Sequence, residues 1–483
     1  MTLDMLTLRG SGRGWVVQEV FSLPPDQIVI LAGSQIFDFR QFMEFLRLII
    51  NTFNASLSIQ NWVGAQRPQS DALWNRRQTY CFEHLRSINR VRRHIELDVK
   101  DLPTGEDTEW EKILRLLYTM ADYDFADPRD HIYGCLGLVE LVLSRSLQQD
   151  LLVPNYTLTT RDVFTSTAAL YYNNARELDF VFSMLVYHKI HHRECGELPS
   201  WVPDFGIPNK AGLERSLKRS NKCFPRFSAA GTKSTDESIC EIDEDVLFVR
   251  GARVDVIEDG PKISRRRREK WRWKQTPTHV FWTLRYLAKS GKYPHGNGQS
   301  RDEAILWTWT ADCVNSPELE DQATAYRDAA TKNSEWFALW IASCFQRGDP
   351  TSQDWSRLES KLGSLQPRES LPTFEAVMKY EQEIRRRTAS ELLQSHPYSV
   401  GDHTTKGRSV YETKRGYLAF TTWQALPGDE VWIVRGCRTP VVLRRATDRD
   451  GYLILGQAYV HGIMNGEAMT EEFEKNFARI ALV

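Results

Sequence analysis

None of the eight cysteines, Cys81, Cys135, Cys195, Cys223, Cys240, Cys313, Cys344 and Cys437, stands in a CxxC pair. Single scattered cysteines in a long chain read as reduced thiols of an intracellular protein, not as a disulfide framework. The opening "MTLDMLTLRGSGRGW" lacks the basic flank and apolar run of a signal peptide. No uncharged apolar stretch approaches the ~20 residues that a membrane helix needs. Charge of one sign is also missing. Lys and Arg total 62 against 63 Asp and Glu, a formal net charge of -1, so a nucleic acid or an anionic membrane would have to be met by a local patch. No GxGxxG, Walker or GxSxG motif occurs, and "GNG" at 296–298 is too short for a phosphate loop. There is no internal repeat. These absences predict a soluble cytoplasmic protein whose chemistry, if any, comes from outside the common motifs.

What is present is large apolar area. The 483 residues include 15 Trp, 22 Phe and 17 Tyr, enough to bury a sizeable core. Roughly two to four domains fit this length. "QIVILAGSQIF" reads as a buried strand ending at Gly33. "DFRQFMEFLRLIINTF" has helical spacing with Asp38 as its cap, and "EWEKILRLLYTMA" is a second amphipathic helix. In "DFADPRDHIYGCLGLV", Asp127 caps a helix, Pro128 suits its first position, Asp130 faces free amides and Gly137 stops it. In "VPNYTLTTRDVFTSTAALYYNNA", a turn leads to a helix capped by Thr160.

A boundary falls near 198, where "LPSWVPDFG" is rich in Pro and aromatics. "RFSAAGTKS" and "EDVLFVRGARVDVIEDG" alternate like half-exposed strands. Residues 277–398 are mostly helical in pattern, with a break at "YPHGNGQS". "GYLAFTTW", "DEVWIVRG", "PVVLRRAT" and "YLILGQAYVHG" are short strands with tight turns, as in a small barrel or a strongly bent sheet.

Two clusters invite a chemical reading. His188, His191, His192 and Cys195 are of zinc-ligand type. No second ligand cluster stands at finger-like spacing, so a solvated His-rich loop is the better account. The run Arg265, Arg266, Arg267, Arg268, Lys270, Arg272 and Lys274 is interleaved with Trp271 and Trp273, as phosphate-gripping, base-stacking segments are. The rest of the chain carries no basic excess, which favours a solvated linker over nucleic-acid binding. The conspicuous "GRGWVVQEV" puts Trp15 near Glu19, but one carboxylate beside a Trp is by itself most often structural.

Taken together, several stretches resemble the fungal heterokaryon-incompatibility (HET) proteins. "RGWVVQEV" with "VILAGSQIFDF" resembles the second half of the HET domain, and "ADPRDHIYGCLGL" its Asp-Pro-Arg-Asp element. "VPNYTLTTRDVF", "LPSWVPDF", "GDEVWIVRGCRTPVVLR" and "LGQAYVHGIMNGEAM" are similar to later landmarks. The family residues carried over are Asp127, Pro128, Arg129, Asp130, Tyr133, Gly428, Asp429, Gly436, Tyr459, His461, Gly462, Gly466 and Glu467, all expected to be structural. The family's opening strand and its second aromatic-rich segment do not occur, so the first half of the domain is expected to be missing.

HET domains are similar to TIR domains, whose enzymatic members cleave NAD with one glutamate preceded by Trp. The resemblance therefore implies Glu19 as a catalytic carboxylate supported by Trp15, with NAD as substrate only if that reading holds. The nucleotide-holding loops would lie in the missing half. The implied role is an interaction and signalling module of non-self recognition and regulated cell death. It would work without turnover, metal or cofactor, alongside other proteins of the incompatibility response.

The expected fold class is α+β: a truncated α/β, TIR-like N-terminal remnant, a helical middle, and a small C-terminal β-rich unit with a helical insert. The expected divisions are 1–60, the HET remnant; 61–197, helical with the Asp-Pro-Arg-Asp element; 198–274, strand-rich; 275–400, the helical insert; and 401–483, the β-rich unit. Strands near 245–257 are expected to join those at 415–462.

Overall fold

The structure is a computed structural model. It describes residues 29–32, 35–38, 125–142, 153–174, 198–206, 227–231, 240–262, 277–295, 298–310, 334–346, 350–365, 371–386 and 408–483, with single positions 41, 44, 113, 116, 117, 120, 123, 178 and 182. The chain divides into two compact units. The first comprises Met1–Ala175, His191–Leu198 and Asp204–Ala211, and the second Arg176–Ile190, Pro199–Pro203 and Gly212–Val483.

In the first unit, the apolar run expected as one strand is a hairpin. β1 (Val29–Ala32) pairs antiparallel with β2 (Gln35–Asp38), Ala32 opposite Gln35. The chain therefore reverses between Ala32 and Gln35, where a strand end was expected. Asp38 caps as expected: its carboxylate accepts the backbone N–H of helical Gln41 at 3.0 Å. Ile113, Leu116, Leu117 and Met120 are helical and buried, which agrees with the amphipathic spacing of that segment.

Helix α1 is Asp130–Tyr133, α2 is Leu136–Val142 and α3 is Thr160–Asn174. The stop between α1 and α2 is Gly134, not Gly137. A Cβ on Gly134 would come within 2.7 Å of both the Asp130 carbonyl and the Phe125 ring, so only glycine lets the ring pack there. Thr159, not Thr160, caps α3. Its hydroxyl accepts the Asp162 N–H at 3.2 Å while the Asp162 carboxylate takes the Thr159 N–H at 3.0 Å, a reciprocal capping box.

The second unit is built on strands β3 (Cys240–Asp243), β4 (Val246–Asp259), β5 (Arg408–Thr413), β6 (Leu418–Thr422), β7 (Glu430–Val434), β8 (Val441–Arg445), β9 (Tyr452–Gln457), β10 (Tyr459–Val460) and β11 (Ala478–Leu482). β4 pairs with both β11 and β7, and the order β4-β11-β9-β8-β7 returns to β4, so these strands close into a ring. Beyond the ring, β4 continues into β5, β6 and β10. One strand can serve both sheets because β4 is 14 residues long and its register shifts twice, at Arg253/Asp255 and at Ile257/Asp259. Each bulge bends the strand. Gly251 sits where β11 and β7 flank β4, and a Cβ there would lie 3.1 Å from the Ile433 carbonyl.

The α+β class and the C-terminal sheet agree with expectation. β3, β5 and β11 had been missed, and "RFSAAGTKS" forms a turn at 227–231 where a strand was expected. There Gly231 has φ 77 and its N–H bonds back to the Ser228 carbonyl at 2.8 Å, a local bond that an extended strand does not make.

Between β4 and β5 come α4 (Pro277–Leu287), α5 (Arg301–Thr310), α6 (Ser334–Gln346), α7 (Ser352–Ser364) and α8 (Phe374–Arg386). Their apolar faces form one core that includes Trp282, Leu339, Phe345 and Val377 and extends onto Val410, Leu418 and Phe420 of β5 and β6. This explains why β5 and β6 are buried at every position instead of alternating. A second core, with Ile257, Val431, Ile433, Val442 and Leu455, lies against the other side of the sheet. α9 (Glu471–Glu474) is a single turn before β11.

Candidate functional site

In the first unit, the Asp-Pro-Arg-Asp element gathers a loop 27 to 29 residues further on. Asp127 acts in the turn leading into α1. Its Oδ1 accepts the Arg129 N–H at 3.0 Å, and its carboxylate meets the Arg129 guanidinium at 2.6 Å. That hydrogen bond to Arg129 holds the Asp127 carboxyl below its ordinary value. Arg129 Nη1 donates to the carbonyls of Tyr156 at 2.8 Å and Leu158 at 2.7 Å, and the guanidinium lies 5.2 Å from the Tyr156 ring centroid.

Asp130 does not face free helix amides, as the sequence suggested. It accepts the Tyr156 hydroxyl at 2.7 Å, which together with burial pushes that phenol up to about 12. Tyr133 donates to the Asn155 carbonyl at 3.1 Å and meets Tyr156 edge to face. Phe205, from the "WVPDF" landmark, packs edge to face on Phe164 of α3, and Asp204 takes the Gly206 N–H. The motifs at 127, 155 and 204 are thus one construction: an arginine that ties a turn to backbone carbonyls, roofed by aromatics. Val153 and Tyr156 stay exposed on it.

In the second unit, His461 is the node. Its ring is 7% exposed. Nδ1 lies 3.0 Å from the Tyr459 hydroxyl and Nε2 lies 2.7 Å from Gln299 Oε1. Gln299 offers an acceptor there, so Nε2 carries a proton, and in the neutral ring Nδ1 accepts from Tyr459. Burial agrees with this, lowering His461 to about 4 against a weaker opposing pull from Glu467. Tyr293 donates to the His461 carbonyl at 2.8 Å and accepts the Leu418 N–H at 3.2 Å. Gln299 and Tyr293 belong to the "YPHGNGQS" break, so the node latches the helical insert to β6 and β10. Gly462, with φ 95, follows directly; a Cβ there would meet the His295 carbonyl at 3.0 Å.

The other C-terminal landmarks shape turns. Gly428 has φ 99, Gly436 φ 78 and Gly466 φ 86, all left-handed backbone that favours glycine. Gly436 offers its carbonyl to the Leu178 N–H at 2.8 Å. Glu467 accepts the Asn465 N–H at 2.7 Å. Asp429, 3% exposed, takes Arg444 through Nε at 2.7 Å and Nη2 at 2.8 Å, and also accepts the Leu426 N–H at 2.7 Å. Arg444 in turn donates to the Gln424 carbonyl. This two-pronged pairing locks the 424–429 turn to β8.

Trp15, Glu19, His188, His191, His192, Cys195 and the 265–274 basic run lie outside the described residues. Among the described residues, no group of His, Cys, Asp and Glu is placed to hold a metal. Sequence reading missed Tyr156, Tyr293, Gln299 and Arg444. Tyr156 stood in a quoted landmark, but only its spacing from Arg129 in the fold gives it meaning.

The fold and its motif residues define a closed β-barrel domain carrying a helical insert between its strands. Residues 244–480 match the family model of the Het-6 beta-barrel domain. It is similar to "Heterokaryon incompatibility protein 6, OR allele" of Neurospora crassa, 24% identical over 390 residues that cover 76% of this chain and 52% of the relative. The chain thus spans about half the length of the curated relative it matches. No solved structure matches it.

Proposed function

We propose that this protein acts in fungal heterokaryon incompatibility as a cytoplasmic interaction and signalling module, without catalytic turnover or cofactor. The similarity to the incompatibility protein and to the Het-6 barrel family supports the biological setting. The observation that carries the module reading is how the landmark residues use their polar groups. Arg129, Asp429 and both ring nitrogens of His461 are engaged in tying backbone segments together. Side chains held in this way shape surfaces; a catalytic base or nucleophile must keep an atom available to substrate. No helix among the described residues is long and apolar enough to cross a membrane.

The test is expression in a fungal host, scored by cell death and by failure of heterokaryons to grow. The parent chain is expected to act, and Glu19→Ala is expected to act equally well. NAD cleavage by the purified chain, abolished together with cell death by Glu19→Ala, would replace this reading with that of an NAD-cleaving effector.

A further inference from the structure

The helical insert and the barrel each have core residues of their own. Val280, Leu284, Ile341 and Val377 pack within the insert, and Ile257, Val431, Val442 and Leu455 pack within the barrel. Val410, Leu418, Phe420 and Tyr459 carry the insert's core onto β5, β6 and β10. Polar links cross this apolar seam. His279 of α4 lies 3.0 Å from Ser409 of β5, Lys289 meets Glu412, and Arg285 meets Asp259. A further link is the His461 node.

The node stands out in what a proton does to it. Nε2 donates to Gln299 Oε1 across the seam, and Nδ1 accepts the Tyr459 hydroxyl. A proton added at Nδ1 turns that acceptor into a donor and creates an imidazolium on a residue 7% exposed. The groups packed on the ring do little to balance it. From the insert come Tyr293, Gln299 and Trp307, all uncharged, with His295 beyond Tyr293 and bonded to the Arg415 carbonyl. From β6 comes the Leu418 carbonyl, which already takes the His461 N–H. From its own side come Tyr459 and Glu467, and Glu467 is already bonded to the backbone and side-chain amides of Asn465. A buried charge without a partner is costly. Water would solvate it if Tyr293 and Gln299 moved away, so the open form binds a proton that the closed form excludes.

We propose that the node is an acid-operated latch. Proton uptake at His461 releases Tyr293, Gln299 and α5 from β6 and β10, and so uncovers Leu418, Phe420 and Tyr459 while the barrel ring stays closed. The sign follows from the two forms. An imidazole in water titrates near 6.5, and burial holds the closed His461 down at about 4. Opening is therefore level above about pH 6.5 and grows by up to about tenfold for each unit of pH below it.

Hydrogen–deuterium exchange of the whole chain reads the latch, with rates corrected for the intrinsic effect of pH on exchange. Between pH 7 and 5, opening of 299–310 and of 418–422 is expected to rise about twentyfold. β7, β8 and β9 should stay as protected as before. Variants at the node separate its share from that of the neighbouring ion pairs. His461→Gln, which cannot take the proton, should show no rise. Gln299→Glu sets a counter-charge beside Nε2, so the closed form can hold an imidazolium, and it should show no rise either. His295→Gln removes a histidine outside the node and should follow the parent. A level parent, an equal rise in β7 to β9, a rise kept in either node variant that folds, or a profile flattened by His295→Gln would each overturn the proposal.

Discussion

In the first unit, a fully charged arginine gathers a loop where its side chain is still 21% exposed. In the second, a neutral histidine joins the helical insert to the barrel where it is 7% exposed. Both tie distant segments of the chain together, Arg129 through backbone carbonyls and His461 through the Gln299 side chain, but in different media. Near water a guanidinium keeps its charge at little cost, and it can satisfy two carbonyls and a carboxylate at once. In the interior an unpaired charge would be penalised, so the second latch uses a neutral imidazole with a defined tautomer and two phenols. The comparison teaches that motif residues alike in a sequence list can work by opposite electrostatics, and that exposure decides which.

The strongest test of that contrast is a buried pair that does carry charge, Asp429 with Arg444. Arg444→Ala leaves Asp429 with its carboxylate buried and one partner, the Leu426 N–H. Breaking a buried pair from one side costs about 3–5 kcal/mol. The lower end of that range is expected here because the Arg444 side chain is 33% exposed. The urea midpoint should fall accordingly, and Asp429→Asn in the same chain should recover part of the loss. A change below about 1 kcal/mol would mean that the buried acid finds solvent.

The histidine node makes a prediction with a defined sign. An ordinary histidine titrates near 6.5, and burial lowers His461 to about 4. Between those values the unfolded chain binds the proton and the folded chain does not. Stability therefore falls as pH drops from about 6.5 towards 4 and is level above that window, with roughly 3 kcal/mol at stake. Urea midpoints of the parent and His461→Gln, compared at pH 7 and 4.5, isolate this part from the carboxylates that titrate nearby. The variant should lose less stability on acidification. Equal losses would show that His461 is solvated and its burial unimportant.

The sequence made the barrel legible in part. Alternation and tight turns marked β4 and β6 to β9, because turn residues such as Gly428 and Gly436 are local signals. β5 stayed hidden because "RSVYET" is polar in composition yet buried throughout, its Arg408, Ser409 and Glu412 covered by the insert. β11 was hidden because it pairs with β4 across more than 200 residues of chain, which no local pattern reports. The sequence shows the Asp-Pro-Arg-Asp element as a motif, but not what it binds. Arg129 meets carbonyls, and a carbonyl has no residue identity to read. Gln299 reads in the sequence only as part of a break between helices. Its role depends on His461, 162 positions away.

The exposed clamp should give the smallest global effect and the most local one. Arg129→Ala removes the donors to the Tyr156 and Leu158 carbonyls and leaves Asp127 without its guanidinium, but both groups lie near enough to solvent for water to replace the lost partner. The thermal midpoint should move less than for Arg444→Ala or for acidified His461. What changes is the 153–159 segment. Its register is held by Arg129 from one side and by Tyr133 and Asp130 from the other. With Arg129 gone, limited proteolysis should cut within 153–159 faster than in the parent, while cleavage in the barrel stays unchanged. Arg129→Lys should rescue only part of this protection, since an ammonium cannot hold two carbonyls and a carboxylate in the planar fork that guanidinium provides. If Arg129→Ala instead lowered the midpoint as far as Arg444→Ala does, the surface clamp would belong to the cooperative core, and the contrast between the two latches would fail.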